Sequence, residues 1–359
     1  MRDVRTILMT ADTVGGVFTY ATTLAAELAK DDVKVHLATL GEPLRSEQRE
    51  VLCALPNVIV HESTFALEWM DDPWEDVAHS GEWLLELERA IAPDVVHLNG
   101  YAHGALPFAA PCVVVAHSCV LSWWEAVLGE KAPARYDRYR EAVKEGLART
   151  SAIVAISAAM RDALARYYDV RRCTVVPNGA LRPRTRAFRK KAPFVLSCGR
   201  IWDPAKNVDA LARIAPRLSW PTAIAGWQCD RAYANVCALG WLGQEDLGQL
   251  MERASIFALP ARYEPFGLSP LEAALRGAAL VLGDIPSLRD IWSDAALFVD
   301  PNNDDALAIA IEMLAQDASL RAELARRASS RALLYPASRT AKAMREVYAS
   351  LRKGARACA

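Results

Sequence analysis

The sequence has no excess of charge of either sign and no apolar run long enough to cross a membrane. Its 359 residues include 42 Lys and Arg against 43 Asp and Glu, a formal net charge of −1 at pH 7, so no global positive charge attracts a nucleic acid or an anionic bilayer. No stretch reaches the roughly 18 uninterrupted apolar residues of a transmembrane helix. The start of the chain carries Arg2, Asp3 and Arg5 and lacks the apolar core of a signal peptide. These absences predict a cytoplasmic protein that binds no nucleic acid and touches a membrane at most peripherally.

Paired cysteine motifs and metal-ligand spacings are also missing. The eight cysteines are scattered, with no C-x-x-C pair, and the six histidines show no paired spacing. Most of the cysteines lie in apolar, strand-like runs, which predicts reduced and mostly buried thiols. The Asp pairs 71–72 and 304–305 are adjacent rather than spaced as D-x-D, and we interpret them as solvated charges. The sequence therefore predicts no bound metal.

What the sequence does contain is a regular alternation of short β-branched runs and longer helical patterns. Seven strands are predicted in the first half: Val4–Ala11, Val33–Leu40, Asn57–His61, Asp94–Leu98, Cys112–His117, Ala152–Ile156 and Cys173–Val176. Six follow in the second half: Phe194–Cys198, Thr222–Ala225, Ala234–Leu239, Ser255–Leu259, Ala279–Leu282 and Ala296–Val299. Apolar strands separated by helices are typical of a parallel sheet covered on both faces. The predicted fold class is therefore α/β, with doubly wound parallel sheets.

One stretch breaks this alternation. Residues 180–192, rich in Arg, Lys and Pro, show little periodicity and are typical of a linker. We therefore expect a first Rossmann-like lobe over 1–180, a linker over 181–192 and a second lobe over 193–336. A last helix, 337–353, is expected to pack back on the first lobe. Ligands bind outside the carboxyl ends of parallel strands, so two facing lobes would share a ligand cleft.

The segment 260–273, PARYEPFGLSPLEA, holds the densest set of candidate site residues. Ser269 and Pro270 predict the start of a helix, with Ser269 as its N-cap. Glu272 would then lie in the first turn of this helix and Glu264 in the loop before it. Both carboxylates can accept hydrogen bonds from sugar or ribose hydroxyls. In the alternative, Glu272 only complements the helix dipole and Glu264 is solvated.

Backbone amides of the same segment form a second candidate feature. Those of Phe266, Gly267 and Leu268 precede the predicted helix and would be free of intrahelical partners. At the edge of a sheet, such amides can bind an anion without a basic side chain.

Two further loops carry glycines or cations at predicted strand ends. Gly15 and Gly16 follow Asp12, where they allow positive φ and the close approach of a ligand; a plain tight turn is an equal alternative. The loop has no G-x-G-x-x-G pattern, which disfavours a dinucleotide site. Arg200 ends a strand and Lys206 lies near the next helix start, so these two cations could flank one diphosphate. The alternative is that both are solvated surface charges.

His117 ends another apolar strand, and a pair of tryptophans follows it. His117 is either a functional group or a satisfied core histidine. Trp123 and Trp124 would line an acceptor pocket, touch a bilayer interface or pack beneath the next helix.

Taken in order, these segments resemble the retaining nucleotide-sugar glycosyltransferases of the GT-B fold, most closely family 4. The string from Glu264 to Glu272 resembles the family's E-x7-E signature, and Gly15-Gly16 resembles its glycine loop. The other matches lie in register over nearly the whole chain: 113–117, 153–157, 176–179, Gly199-Arg200 with Lys206-Asn207, and 239–243. The resemblance implies two Rossmann-like lobes and transfer of a sugar from a nucleoside-diphosphate sugar to an acceptor.

The resemblance also implies roles for individual residues. Arg200 and Lys206 would neutralise the donor diphosphate and stabilise the leaving group. His117 would contact the donor sugar, while Glu264 would hold sugar hydroxyls and Glu272 the ribose. The remaining candidates are Gly15, Gly16, Phe266, Gly267, Leu268 and Leu242 for donor binding, and Asp12, Trp123 and Trp124 for acceptor binding. Catalysis would rest on positioning and leaving-group electrostatics, without a metal or other cofactor.

Other functions stay open at this point. A nucleotide-sugar 2-epimerase or a sugar-phosphate-forming enzyme would use the same fold, and so would a non-catalytic nucleotide-sugar-binding protein. For a transferase, the acceptor would be a small molecule, a glycan or a lipid-linked molecule.

Overall fold

A computed structural model describes residues 4–183, 190–200, 202–226 and 234–357, with side chains to residue 352 in the last helix. The chain divides into two compact units. The first comprises Met1–Glu125, Glu130–Gly179 and Ala337–Ala359, and the second comprises Ala126–Gly129 and Ala180–Pro336. Part of the predicted linker, residues 184–189, lies outside the described residues.

The described part of the first unit is built on seven strands with helices between them. The strands are β1 (Thr6–Asp12), β2 (Lys34–Leu40), β3 (Val58–Glu62), β4 (Val95–Leu98), β5 (Cys112–Ala116), β6 (Ala152–Ala155) and β7 (Thr174–Val175). The helices along this part of the chain are α1 (Gly16–Leu28), α2 (Ser46–Cys53), α3 (Trp74–Ile91), α4 (Val120–Leu128), α5 (Asp137–Arg149) and α6 (Ala158–Tyr168). The strands form one parallel sheet in the order β3-β2-β1-β4-β5-β6-β7.

The second unit repeats this architecture. Its described strands are β8 (Ala192–Cys198), β9 (Thr222–Ala225), β10 (Val236–Ala238), β11 (Ala254–Leu259), β12 (Ala279–Gly283) and β13 (Leu297–Val299). Its helices are α7 (Val208–Ile214), α8 (Gln244–Arg253), α9 (Leu268–Leu275), α10 (Pro286–Trp292), α11 (Asp304–Gln316) and α12 (Ala318–Ala332). The parallel sheet has the order β10-β9-β8-β11-β12-β13.

Every predicted strand is present, with ends shifted by no more than two residues. The reason is visible in β5 and β12, where every residue is buried. A strand covered on both faces must be apolar at successive positions, and this leaves an unambiguous run in the sequence. The α/β prediction with doubly wound parallel sheets is therefore confirmed.

Helical patterns in the sequence predict helices over 19–30, 80–91, 133–149, 158–168, 207–218, 244–253, 270–276, 304–314 and 319–334, and none of these predictions corresponds to α2, α4 or α10. These three helices have eight, nine and seven residues, so the 3.6-residue period repeats only about twice in each. Among the helices of the described chain, none is both long enough and apolar enough to span a bilayer.

The strand order reverses beside β1 in the first unit and beside β8 in the second. At such a switch point, the loops leaving two neighbouring strands run in opposite directions and open a crevice at the carboxyl edge of the sheet. In the first unit these are the loops after β1 and β4, and in the second those after β8 and β11. Backbones approach closely along this edge: a Cβ on Gly283 would lie 2.2 Å from the carbonyl oxygen of Ala261.

The last helix, α13 (Ala337–Ala357), packs in the first unit against α1. Its Met344 and Tyr348 side chains are fully buried. The Thr340 hydroxyl donates a hydrogen bond to the carbonyl oxygen of Pro177 at 2.8 Å. The C-terminal end of the chain therefore completes the core of the first unit.

Candidate active site

In the second unit, the switch point brings together the two loops that carry Lys206 and Glu264. The Lys206 Nζ lies 2.6 Å from the Glu264 Oε2, joining the loop after β8 to the loop after β11. The two side chains are only 16% and 14% exposed, so water screens this ion pair less than a surface pair. The structure thus places a cation and a carboxylate as one unit at the carboxyl edge of the sheet.

The second carboxylate oxygen of Glu264 is also engaged. The Gly267 N–H donates a hydrogen bond to Glu264 Oε1 at 3.0 Å, and the Ser287 hydroxyl donates to the Glu264 carbonyl oxygen at 2.6 Å. The expectation that the Gly267 amide is free for an anion is therefore wrong, because Glu264 itself occupies it. Glu264 is a fixed group rather than a solvated one.

Helix α9 begins earlier than predicted. It starts at Leu268 and its N-cap is Gly267, with φ +90 and ψ 70 in the left-handed region, which favours glycine. Ser269 is therefore not the N-cap. Pro270 is accommodated in the first turn, where its missing N–H costs nothing. Glu272 consequently lies in the second turn, and the expectation that it lies in the first turn is also wrong.

Glu272 is half-buried, and within the described residues its carboxylate makes no hydrogen bond or ion pair. Burial raises its pKa, an effect opposed by the charge of Arg276. Burial and the Glu272 carboxylate also raise the pKa of the neighbouring Cys198 thiol to about 12. The Cys198 thiol is therefore protonated and unreactive. The carboxylate oxygens of Glu272, in contrast, are available to accept hydrogen bonds.

Arg200 is held in place by its own loop. Its guanidinium donates a hydrogen bond to Asp203 Oδ2 at 2.9 Å and lies over the Trp202 ring at 5.3 Å from the centroid. Burial opposes ionisation of Asp203, but the hydrogen bond and charge of Arg200 together hold its pKa below the ordinary value. Arg200 is thus a partly exposed cation whose position is fixed by Asp203 and Trp202, not a mobile surface charge.

Asn207, which in the sequence is only the residue after Lys206 in the matched segment, joins three loops at this edge. Its amide nitrogen donates to the carbonyl oxygens of Pro260 at 2.9 Å and Pro301 at 2.7 Å. Its Oδ1 accepts a hydrogen bond from Arg262 at 2.6 Å. Asn207 adopts φ +52, a left-handed conformation that asparagine tolerates better than most residues. The signal in the sequence that could have indicated this role is an asparagine at a predicted helix start.

In the first unit, His117 follows the last residue of β5 and lies beside the loops of the switch point. Its Nε2 lies 2.8 Å from the Oδ1 of Asn99, the residue after β4. The Tyr20 ring packs against it edge-on, with centroids 4.7 Å apart. Burial, with a smaller effect from His97, lowers the pKa of His117 to about 3, so the imidazole is neutral at physiological pH.

The loop after β1 is organised by Asp12. Its Oδ1 accepts a hydrogen bond from the Val14 N–H at 2.5 Å, and α1 begins at Gly16 with Gly15 as the N-cap. Gly15 has φ −178, and Gly16 is not among the residues with positive φ. The suggested use of positive φ at this pair is therefore wrong; the turn is closed by Asp12 instead.

The two tryptophans belong to an aromatic group around α4 and α5. Trp123 and Trp124 are half-buried and meet edge-on, 5.9 Å between centroids. Trp124 also contacts Tyr136, and the Arg135 guanidinium lies over both the Trp124 and Tyr136 rings. Packing against the turn that leads into α5 thus accounts for part of this surface. Leu242, the last donor-binding candidate, is half-buried after β10.

Across the described residues, no three His, Cys, Asp or Glu side chains are grouped as metal ligands would be.

Two family models match the chain in succession. Residues 14–180 match the one described as Glycosyltransferase Family 4, and residues 182–331 match Glycosyl transferases group 1. The chain is 28% identical to glycogen synthase of Mycobacterium tuberculosis over 342 residues, which cover 82% of this chain and 79% of that protein. It is 32% identical to O-antigen chain mannosyltransferase B of Escherichia coli over 137 residues, but this match covers 33% of the chain and 36% of the mannosyltransferase.

Solved structures show the same fold at low identity. Sucrose-phosphate synthase from Thermosynechococcus elongatus is similar with a TM-score of 0.79 at 17% identity, over 98% of this chain and 100% of that one. HepE of Anabaena, solved with UDP and glucose, is similar with a TM-score of 0.73 at 17% identity, over 97% and 100% of the two chains. Since both the family models and the fold agree with the resemblance seen in the sequence, the chain belongs to the glycosyltransferases of the GT-B fold, with a family 4 first half.

Proposed function

We propose that this glycosyltransferase moves a sugar, with retention of anomeric configuration, from a nucleoside-diphosphate sugar to an acceptor bound by the first unit. The observation that carries the proposal is the group at the switch point of the second unit. There Lys206 is fixed by Glu264 at 2.6 Å, Arg200 is fixed by Asp203 at 2.9 Å, and the Glu272 carboxylate remains open. Two held cations suit a diphosphate, and an open carboxylate suits hydroxyl groups.

The cations would act mainly on the leaving group. When the bond between sugar and diphosphate breaks, negative charge grows on the phosphate oxygens. Arg200 and Lys206 are already oriented by carboxylates, so they can stabilise that charge without reorganising. The same two charges do the work that a divalent cation does in metal-dependent transfer, and we therefore propose that the reaction needs no metal.

The hydrogen bonds made by Glu264 support the proposal that the anomeric configuration is retained. Both of its oxygens accept hydrogen bonds, from Lys206 and from Gly267, which suits holding sugar hydroxyls better than attacking the anomeric carbon. We propose that the acceptor attacks on the face from which the diphosphate departs, and that the departing diphosphate takes the acceptor proton. Rate acceleration then comes from positioning and from leaving-group electrostatics.

The relatives support the general kind of donor and acceptor. The HepE structure contains UDP and glucose, and the two curated relatives are named glycogen synthase and O-antigen chain mannosyltransferase B. We propose a nucleotide-sugar donor and a small-molecule, glycan or lipid-linked acceptor. The six described cysteines are free thiols, which suits a reducing compartment, so we place the reaction in the cytoplasm.

A donor panel tests the proposal. The full-length protein is incubated with UDP-, GDP-, ADP- and dTDP-sugars, and thermal shift and donor hydrolysis are measured with and without excess EDTA. We expect one nucleotide to raise the melting temperature and its sugar to be hydrolysed slowly, equally well in EDTA. Loss of activity in EDTA that Mg²⁺ or Mn²⁺ restores would contradict metal independence.

The product then decides between the candidate reactions. With an acceptor found by screening, NMR of the new glycoside gives its anomeric configuration, which we expect to match that of the donor. An inverted product would contradict the retaining mechanism. An epimerised sugar formed without acceptor would show an epimerase, and nucleotide binding without any turnover would show a binding protein.

Changing Glu272 to alanine should weaken nucleotide binding more than it slows the chemical step. The open carboxylate would lose hydrogen bonds to two ribose hydroxyls, and hydrogen bonds to a charged group contribute about 1.5–3 kcal/mol each. We expect the dissociation constant of the nucleoside diphosphate, measured by calorimetry, to rise at least tenfold. The matched control is Glu245→Ala, an exposed residue of α8 in the same unit. Unaltered affinity in the Glu272 variant would remove Glu272 from the ribose site.

A further inference from the structure

We propose that a hydrogen-bonded chain running from the buried Tyr348 of α13 through the buried His97 and the half-buried Asn99 positions His117, keeping its proton on Nε2 and leaving Nδ1 as an acceptor for a substrate hydroxyl. The substrate part of this inference rests on the proposed function. The hydrogen-bonded chain itself lies wholly within the first unit and can be tested separately.

The orientation of the Asn99 side chain is fixed by Thr10. The Asn99 Nδ2 lies 2.6 Å from the carbonyl oxygen of Thr10, and a carbonyl oxygen can only accept. The Asn99 backbone N–H also donates to the Thr10 hydroxyl oxygen at 2.9 Å. The amide group therefore must present its oxygen, not its nitrogen, to the two histidines on its other side.

This orientation determines the protonation of both histidines. The Nε2 atoms of His117 and His97 lie 2.8 Å and 3.1 Å from the same Asn99 Oδ1. Because that oxygen only accepts, each Nε2 must carry a proton and donate it. Two imidazolium ions sharing one amide oxygen would repel each other, and burial lowers the pKa of His97 to about 4 and that of His117 to about 3. Both rings are thus neutral, with the lone pair on Nδ1.

Tyr348 completes the chain on the side away from His117. Its hydroxyl lies 2.6 Å from His97 Nδ1, and since that nitrogen has no proton, the hydroxyl is the donor. Tyr348 is fully buried, and burial raises its pKa, so it keeps its proton. If this donor is removed, the lone pair of His97 Nδ1 is left buried without a hydrogen bond, while Asn99 Oδ1 still requires the proton on Nε2. The His97 ring is then held at one nitrogen instead of two, which weakens its hold on Asn99.

The other end of the chain is the one that can meet a ligand. Within the described residues, His117 Nδ1 has no hydrogen-bond partner, while its ring is packed edge-on by Tyr20 at 4.7 Å. Fixed in orientation and in proton position, Nδ1 can accept a hydrogen bond from a hydroxyl but cannot donate one. His117 thus selects a hydroxyl group rather than a carbonyl or phosphate oxygen at this point.

The experiment combines Tyr348→Phe with spectroscopy on the histidines. In protein labelled with ¹⁵N-histidine, we expect the wild-type shifts of His117 to show a protonated Nε2 and a bare Nδ1 at neutral pH. In Tyr348→Phe, which preserves packing, we expect the His97 Nδ1 shift to move to that of a nitrogen without a hydrogen bond, while both Nε2 atoms stay protonated. Turnover should fall roughly five- to tenfold, the effect of one hydrogen bond. Affinity for the nucleoside diphosphate should not change. The control is Tyr168→Phe in α6, another buried tyrosine of this unit that takes no part in the chain.

A second variant guards against misfolding of the first. Asn99→Ala removes the acceptor oxygen that both Nε2 atoms face, so we expect the His117 shifts to show a mixture of tautomers and turnover to fall, with the melting temperature showing that the fold is retained. Wild-type shifts in both variants, or a wild-type His117 protonated on Nδ1, would overturn the proposed chain. If the protein binds no nucleotide sugar at all, the proposed function fails, yet the tautomer measurement still decides the chain.

Discussion

Replacing Lys206 with alanine is expected to lower kcat/KM for the donor by about two to three orders of magnitude, the loss typical of one preorganised contact to developing charge. Glu264 fixes Lys206 at 2.6 Å in a largely buried pair, so its charge is in place before the diphosphate begins to leave. Most of the loss should appear in kcat, because the negative charge on the leaving group grows only in the transition state.

The control for this variant is Lys190→Ala, which removes an exposed lysine of the same unit and should leave turnover unchanged. Melting temperatures of both proteins show whether they remain folded. A folded Lys206→Ala enzyme with normal turnover would show that Lys206 does not serve the leaving group. Lys206→Arg keeps the charge and should recover part of the rate.

Replacing Glu264 with glutamine is expected to lower kcat by about ten- to a hundredfold, because a mispositioned catalytic group typically costs up to about a hundredfold. Glutamine keeps an oxygen for the Gly267 N–H, which Glu264 binds at 3.0 Å, so the start of α9 should be preserved. It loses the charge that holds Lys206 Nζ.

A double-variant cycle makes this prediction specific. Residues in one ion pair are coupled, so the combined effect of Lys206→Ala and Glu264→Gln should be clearly smaller than the product of the two single effects. Full multiplicativity would mean that Glu264 acts independently of Lys206, for example on sugar hydroxyls alone. Glu245→Gln, on the exposed side of α8, should behave as wild type.

The sheets were predictable because their strands are buried on both faces. In β5 and β12 no position is exposed. Such short apolar runs are typical of a buried parallel strand. Short helices were less visible: α10, with seven residues, offers fewer than two full repeats of the helical period.

Local details of the candidate site were harder to predict. Ser269-Pro270 is a good helix start by residue preference, but the left-handed Gly267 starts α9 earlier and moves Glu272 into its second turn. Similarly, the Gly267 amide looked free because sequence shows only that it precedes a helix. Whether a carboxylate occupies it depends on the path of the loop that carries Glu264.

By itself, the sequence determined the α/β class, the parallel sheets and the membership among GT-B glycosyltransferases. Buried strands and short motifs consist of residues adjacent in the sequence, so they can be recognised without the tertiary structure. Only the tertiary structure decided which groups are paired: Lys206 with Glu264, 58 positions apart, and Tyr348 with His97, 251 positions apart. A hydrogen bond depends on atoms within about 3 Å of each other, and for residues so distant along the chain that proximity is created by the packing of strands and helices alone.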